Sequence, residues 1–300
     1  MTSPINDLLS RVLGIRIVRA RTIQTILDEL KNMHGELQKQ HRELQKLSTK
    51  FAYLPNTSSS IDRIRQVGAL INPKTARGVK KIRVGGANDG GYVCLDEFQD
   101  ITAAVSLGIE DNVSWDLEIA QRNITVLQYD HTIPSPPCFH KNFVFYRSKI
   151  SAVEGDDVES INSIITKNSL SVPGSVIGKI DIEGDEWGVL FSTSDKSLQM
   201  FSQLICEFHW FDKIIEEQFF ERMIQVFRKL NKVFEVVHVH ANNYAPLLVV
   251  GNHLFPTVIE ITFANRQKFT FEETNEVFPG CLDAPNNPRA ADHQLGKFIF

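Results

Sequence analysis

The sequence has few cysteines, and none is placed to bind zinc. Cys94, Cys138, Cys206 and Cys281 are far apart in the 300-residue chain, and no Cys-x-x-Cys pair occurs. This spacing does not indicate a zinc ribbon or a dense disulfide framework. A reducing compartment is the simpler expectation.

Long apolar runs are also missing. No run approaches the roughly 18 residues that a membrane-spanning helix needs. Apolar residues cluster near the N-terminus, but Arg11, Arg16 and Arg19 interrupt the cluster and no small-residue cleavage site follows. We expect an amphipathic helix that packs against protein, with a membrane surface as the alternative. The expected location is cytoplasmic, with membrane association left open.

The chain has neither a basic balance nor the glycine-rich signatures of nucleotide sites. Its net charge of −4 gives no electrostatic reason to expect nucleic acid. Neither GxGxxG nor GxxxxGK[ST] is present. A dinucleotide-dependent oxidoreductase is therefore disfavoured.

Residues 20–51 carry a heptad repeat of apolar residues. One seam position holds Ile23, Leu30, Leu37, Leu44 and Phe51, and the other holds Ile26, Met33, Gln40 and Leu47. Parallel pairing sets Glu29 and Glu36 opposite histidines, whereas antiparallel pairing sets glutamates opposite glutamates. The pattern predicts a parallel coiled coil that forms a homo-oligomer; the alternative is a single helix lying on its own domain.

Composition divides the chain into three segments. We predict a helical region at 1–52, a linker at 53–75 and an α/β domain at 76–300, because the Ser- and Pro-containing stretch 53–60 is typical of a loop. In the last segment, strands alternate with helices, which predicts a mostly parallel sheet with helices on both faces. The two final strands are expected to pair antiparallel at an edge. The predicted strands are Ala103–Leu107, Ile124–Tyr129, Phe143–Tyr146, Val176–Ile182, Gln203–His209, Phe234–His240 and Thr257–Phe263, and the predicted helices are Val113–Arg122, Asp157–Asn168 and Lys213–Asn231.

Polar residues follow several of these strands. In open α/β sheets ligands bind beyond the carboxyl ends of the strands, so these positions are candidates for a shared cleft. The candidates are Gly108, Glu110 and Asp111 after the first strand, Asp130 after the second, Asp156 after the third, Asp181 and Glu183 after the fourth, and Glu207, His209, His238 and His240 on the next two. Each one alone is also explained by a turn, a helix cap or a core position.

Five motifs stand out along the chain: Lys-Ile-Asp-Ile-Glu-Gly-Asp-Glu (179–186), Asp-Gly-Gly-Tyr-Val (89–93), Ser-Leu-Gly (106–108), Glu-Phe-His (207–209) and Leu-Asp-Ala-Pro-Asn-Asn-Pro (282–288). Together they resemble the motifs of the FkbM-like methyltransferases, which use S-adenosylmethionine. The resemblance covers roughly residues 80–290 and implies the Rossmann-like class I methyltransferase fold, a seven-stranded, mostly parallel sheet with an antiparallel last strand.

The resemblance also implies a cofactor site. The turn at Gly108, with Glu110 and Asp111, would approach the methionine end of S-adenosylmethionine. Asp130 would hold the ribose. Independently of the resemblance, the position of Asp156 after the third strand predicts a contact to the adenine edge, with a helix cap as the alternative. Glu110 and Asp111 depart from the family pattern, in which many members have further glycines, so a degenerate site that binds nothing stays open.

The implied reaction is O-methyl transfer to a hydroxyl of a sugar or cell-surface glycan. An alcohol must lose a proton before it attacks, so we expect a general base, His209 first and Asp181 second. Alternatively, Asp181, Glu207, His209 and His240 hold Mg²⁺ or Mn²⁺. A non-catalytic coiled-coil scaffold with a degenerate methyltransferase-like domain is the alternative function. The coiled coil would oligomerise the enzyme or dock it to a biosynthetic assembly.

Overall fold

The computed structural model describes residues 51–300 except 154 and 156, together with residues 25–26, 28–33, 35–37 and 40. It divides into two units, Met1–Lys50 and Phe51–Phe300. In the first unit every described residue is helical. The predicted pairing of chains along this helix is not tested by these residues, and most of the heptad lies outside them. None of the described helices is long and apolar enough to cross a membrane.

The second unit contains the following strands in chain order: β1 Phe51–Tyr53, β2 Lys74–Ala76, β3 Lys81–Gly85, β4 Gly91–Leu95, β5 Ala103–Leu107, β6 Thr125–Tyr129, β7 Phe143–Tyr146, β8 Lys149–Ile150, β9 Val158–Glu159, β10 Val176–Ile180, β11 Phe201–Phe208, β12 Phe234–Ala241, β13 Leu247–Val250, β14 His253–Pro256, β15 Ile259–Asn265 and β16 Phe271–Glu273. Its helices are α1 Ser58–Leu70, α2 Ser114–Gln121, α3 Ile161–Lys167, α4 Glu186–Ser192, α5 Asp195–Leu198 and α6 Glu217–Leu230, with a 3₁₀ helix at Phe211–Ile215.

Seven strands form the central sheet, in the order β12-β15-β11-β10-β5-β6-β7. The pairs β11–β10, β10–β5, β5–β6 and β6–β7 are parallel. Strand β15 is antiparallel to both of its neighbours, β11 and β12. The prediction of a seven-stranded, mostly parallel α/β sheet is therefore confirmed. The antiparallel strand lies one position inside the edge, which β12 occupies.

Side chains alternate between two buried layers on the faces of this sheet. On strand β5, Val105 and Leu107 belong to the larger apolar cluster, whereas Ala104 belongs to a second cluster that includes Trp115 and Ile119 of α2. All five β5 residues are buried. Burial on both faces explains why the parallel strands are short continuous apolar runs.

The predicted linker at 53–75 is wrong. Thr57 caps helix α1 by accepting a hydrogen bond from the backbone N–H of Ser60, at 3.1 Å. Ile64 and Val67 are fully buried in the larger apolar cluster. The Ser-rich start that resembled a loop is a helix N-terminus, because Ser and Thr favour N-cap positions.

The predicted boundary at residue 52 also shifts. Phe51, expected at a heptad seam, lies in strand β1 and pairs with Leu247 of β13. The second unit therefore begins at Phe51.

Ile64 tests whether α1 belongs to the core. Replacing Ile64 with Ala removes buried methyl groups and leaves a cavity, so we expect the free energy of unfolding to fall by about 2 to 5 kcal/mol in urea denaturation. Gln66→Ala, at an exposed position of the same helix, is the matched control and should change it by less than about 0.5 kcal/mol. Equal, small effects of the two substitutions would restore the linker interpretation.

Candidate functional site

A cleft of about 300 Å³ opens at the carboxyl ends of the central strands β5, β6 and β10. Six of the sequence-predicted residues line it: Gly108, Glu110, Asp111, Asp130, Asp181 and Glu183. Its position agrees with the rule for open α/β sheets, in which ligands bind where neighbouring strands connect in opposite directions. The sequence therefore located the cleft, although not every role of its residues.

Gly108 is required by the protein's own backbone. Its φ is +77°, and a Cβ atom at this position would lie 1.7 Å from the carbonyl oxygen of Asp181. No side chain fits there, so the turn after β5 passes directly against the end of β10. The sequence had suggested that this glycine lets a ligand approach the backbone closely. In the structure it lets the end of β10 approach closely instead.

Asp130 anchors the same turn from the other side. One carboxylate oxygen accepts hydrogen bonds from the backbone N–H groups of Ile109 and Glu110, both at 2.9 Å. The other accepts from the backbone N–H and the hydroxyl of Thr132, at 2.7 and 2.6 Å. Burial alone would raise the pKa of Asp130, but these bonds hold it below its ordinary value.

The prediction that Asp130 holds a ribose is contradicted by this geometry. A carboxylate offers about four acceptor positions, and all four are used by the protein. Asp130 therefore shapes the cleft and has no acceptor position left for a diol. The adenine contact predicted for Asp156 lies outside the described residues.

The cleft is acidic, and its two lysines are already engaged. Lys149 pairs with Asp185, with Nζ 2.9 Å from the carboxylate, and Lys179 donates a hydrogen bond to the carbonyl of Gly108. The acidic residues that line the cleft are Asp89, Glu110, Asp111, Asp130, Asp181, Glu183 and Asp185. Such a lining favours cationic or neutral ligands over phosphate-bearing ones.

Three side chains converge beside the cleft. Asp181, Glu183 and His209 each offer a ligand atom, and these atoms all lie within 4.8 Å of one another. Nε2 of His209 is 3.5 Å from Glu183. Two carboxylates and one imidazole suit a divalent metal such as Mn²⁺ or Mg²⁺. The sequence had placed Asp181 and His209 together, and Glu183 completes the group.

Glu186 orients His209, and the sequence analysis missed this role. The fully buried Glu186 carboxylate accepts from the backbone N–H of His209 at 2.7 Å and lies 3.3 Å from its Nδ1. It also accepts from the N–H of Gly184. A carboxylate at Nδ1 favours the proton there, which leaves the Nε2 lone pair directed at Glu183. The only signal in the sequence was the dense acidic run itself.

The electrostatics of this group favour bound positive charge. Burial would lower the pKa of His209, but its hydrogen bond to Glu186 and the charges of Glu186, Asp181 and Glu183 raise it above the ordinary value. Burial also raises the pKa of Glu183; His209 opposes this, and the charge of Asp181 adds to it. The carboxylates thus favour a positive charge next to them, which either a proton on the imidazole or a metal ion could supply.

Glu207 and His240 are not members of the group formed by Asp181, Glu183 and His209, which corrects the predicted metal set. Glu207, Glu260 and His240 are paired in register across β11, β15 and β12, so two strand spacings of roughly 5 Å each separate Glu207 from His240. Glu207 accepts a hydrogen bond from Asn242 at 2.6 Å, and its nearest oxygen is 4.0 Å from Nε2 of His209. Burial, followed by the charges of Asp181 and Glu260, raises the pKa of Glu207 well above its usual range.

His240 belongs to a separate buried network. Its Nδ1 lies 3.1 Å from Glu260, and its Nε2 lies 3.1 Å from Asp292. Asn286 donates to both Glu260 and Asp89, at 2.7 and 3.1 Å. The 282–288 motif is thereby tied to the 89–93 motif, whose residues Asp89, Gly90 and Tyr92 line the cleft.

His238 is also structural. Its Nε2 lies 2.8 Å from Asp283, in a buried pair. Burial lowers the pKa of His238, although the hydrogen bond to Asp283 opposes the change. Neither His238 nor His240 belongs to the group formed by Asp181, Glu183 and His209.

Comparison of the sequence with models of known protein families gives no match, and comparison with curated protein sequences gives none either.

The His240 network predicts a pH dependence of stability. Burial lowers the pKa of His240, but hydrogen bonds to Asp292 and Glu260 raise it to about 10, above the roughly 6.5 of an unfolded histidine. The stabilisation is therefore fully present below about pH 6.5 and is lost as the pH rises towards 10. The difference in unfolding free energy between the wild type and His240→Gln should be larger at pH 7 than at pH 10. A difference that is constant over this range would contradict the assignment.

Proposed function

We propose that this protein is an S-adenosylmethionine-dependent O-methyltransferase that acts on a hydroxyl of a sugar or glycan. The observation that carries the proposal is the coincidence of the motif residues 108, 181 and 183 at one cleft, on a sheet whose antiparallel last strand lies between β11 and β12. The FkbM-like resemblance implies such a sheet, and the observed strand order supports it.

The cleft is chemically suited to a sulfonium ligand. Its volume of about 300 Å³ is at the lower end of the range for small-molecule sites. Its acidic lining favours a cation, and S-adenosylmethionine is positively charged at sulfur. When bound, this cofactor supplies an electrophilic methyl group. Binding and alignment are then the main contributions of the chain.

The donor set beside the cleft fits a divalent metal. Asp181, Glu183 and His209 would hold Mg²⁺ or Mn²⁺, and Glu186 supports the fit by fixing the imidazole so that Nε2 is free to coordinate. Such an ion lowers the pKa of a bound hydroxyl.

Without a metal, His209 is the proposed base. With the proton held at Nδ1 by Glu186, Nε2 accepts the proton of the acceptor hydroxyl. Because the pKa of His209 is raised, this version works best at a pH above that raised value, where the imidazole is neutral. Asp181 would position the acceptor; its carboxylate already accepts from the Tyr92 hydroxyl at 3.3 Å.

The scaffold remains the second candidate because of two observations. The Asp130 carboxylate is saturated, and Glu110 takes a positive φ of +47° in a turn where many methyltransferases have glycine. Both would suit a domain that keeps the fold without the cofactor.

Calorimetry with S-adenosylhomocysteine separates the two candidates. We expect micromolar binding for the enzyme, measured with and without Mg²⁺ or Mn²⁺, and the same titration with NAD should give none. Absence of S-adenosylhomocysteine binding in both conditions would reject the methyltransferase proposal and favour the scaffold.

Metal binding has its own test, which needs no acceptor. Titration of Mn²⁺ followed by electron paramagnetic resonance should show a site that His209→Ala weakens about tenfold or more, because one of three ligands is lost. Affinity should rise with pH as His209 loses its proton. His131→Ala, an exposed histidine that lines the same cleft, is the control and should bind like the wild type. If both variants bind Mn²⁺ like the wild type, the proposed ligand set is wrong.

A further inference from the structure

Three neighbouring strands each place one polar side chain in the same buried row. Ser106 of β5 is in register with Gln128 of β6 on one side and with Lys179 of β10 on the other. On each strand, the residue of this row lies two positions before a residue that lines the cleft, namely Gly108, Asp130 or Asp181. Ser106 and Gln128 are fully buried, and Lys179 is 5% exposed.

The row lies on the sheet face that helix α2 covers. Two residues earlier on the same strands, Ala104, Val126 and Ile177 pack in the apolar cluster that contains Trp115 and Ile119 of α2. Residues two apart on a strand share a face. The polar row therefore continues this apolar layer towards the cleft.

Asp116 of α2 is a fully buried carboxylate at this layer. Burial raises its pKa, whereas the charge of Lys179 and the nearby polar side chains of Ser106 and Gln128 lower it in part. Both Asp116 oxygens, the Ser106 hydroxyl and both Gln128 amide atoms lack a hydrogen-bond partner among the described residues. These side chains are thus close enough to influence one another but are not directly hydrogen-bonded.

Lys179 connects this layer to the cleft. It is the only lysine or arginine among the buried residues of the described chain, and it donates a hydrogen bond to the carbonyl of Gly108. A buried ammonium is costly without a compensating negative charge. Asp116 is an acidic side chain of this layer that is fully buried and does not line the cleft.

We propose that Asp116 and Lys179 form a buried, water-bridged charge pair that fixes the carbonyl of Gly108 and so presets the turn at the cleft. Buried polar groups nearly always find partners, and internal water typically makes about three hydrogen bonds to such groups. Asp116, Ser106 and Gln128 provide these bonds. Lys179 and Asp116 are positioning residues, since Lys179 acts on the backbone of the turn and Asp116 acts through Lys179.

Stability measurements test the pair itself. Lys179→Met leaves Asp116 as an uncompensated buried charge, so it should destabilise the protein strongly, while the double variant Asp116→Asn/Lys179→Met should recover part of the loss. Asp100→Asn, an exposed aspartate before strand β5, is the control. A double variant that is no more stable than Lys179→Met, including the case in which neither folds, would overturn the pair.

Hydrogen exchange tests the positioning role. Backbone amides at 107–112 should exchange about tenfold faster in Asp116→Asn than in the wild type, which corresponds to about 1.4 kcal/mol. If Asp116 acts through Lys179, adding Asp116→Asn to Lys179→Met should produce no further increase. An unchanged turn in Asp116→Asn, or a further increase in the double variant, would overturn the proposal.

A ligand measurement links the pair to the cleft, and this consequence rests on the proposed function. Asp116→Asn should bind S-adenosylhomocysteine about tenfold more weakly, and Asp100→Asn should bind it like the wild type. If the wild type binds none, the methyltransferase proposal fails while the exchange result still decides the positioning role. If the wild type binds and Asp116→Asn binds equally well, the link between the pair and the cleft is rejected.

Discussion

The cleft depends on the close approach of two chain segments, the turn after β5 and the end of β10. Only glycine fits at position 108, because a Cβ atom would collide with the carbonyl of Asp181. Asp130 then holds the turn through two backbone N–H groups, and Lys179 holds its carbonyl. The turn is thus held by its neighbours on both sides before any ligand arrives, so a ligand would meet a preformed surface, which reduces the ordering cost of binding.

Charged side chains around the cleft have two different roles. Acidic side chains line its surface, whereas the two lysines bind other groups of the protein: Lys149 pairs with Asp185, and Lys179 binds the backbone of the turn from beneath. The carboxylates around His209 raise its pKa against the effect of burial and so favour positive charge at this position. The unbalanced negative charge is therefore concentrated where a sulfonium group or a divalent ion would be stabilised, and this supports the proposed chemistry more than any single residue does.

The sequence predicted the sheet more fully than the site. Continuous apolar runs predicted the observed bounds of β5 and β7, although only β5 is buried and β7 is a half-exposed edge strand. Helix α1 was missed because Thr57 and the serines after it have the composition of a loop as well as of a cap. In the site, alternation along β11 suggested that Glu207 and His209 act together, but the strand ends at Phe208, and Glu186 directs the histidine instead. Glu183 has a positive φ of +55°, and no periodicity reveals where such a residue points.

The most direct test of the account is a crystal structure of the protein soaked with S-adenosylhomocysteine and Mn²⁺. The account predicts the ligand above the ends of β5, β6 and β10, against an unmoved Gly108 turn, and Mn²⁺ within bonding distance of Asp181 and His209. Density for the ligand at another place, or a cleft that stays free of both at saturating concentrations, would contradict it.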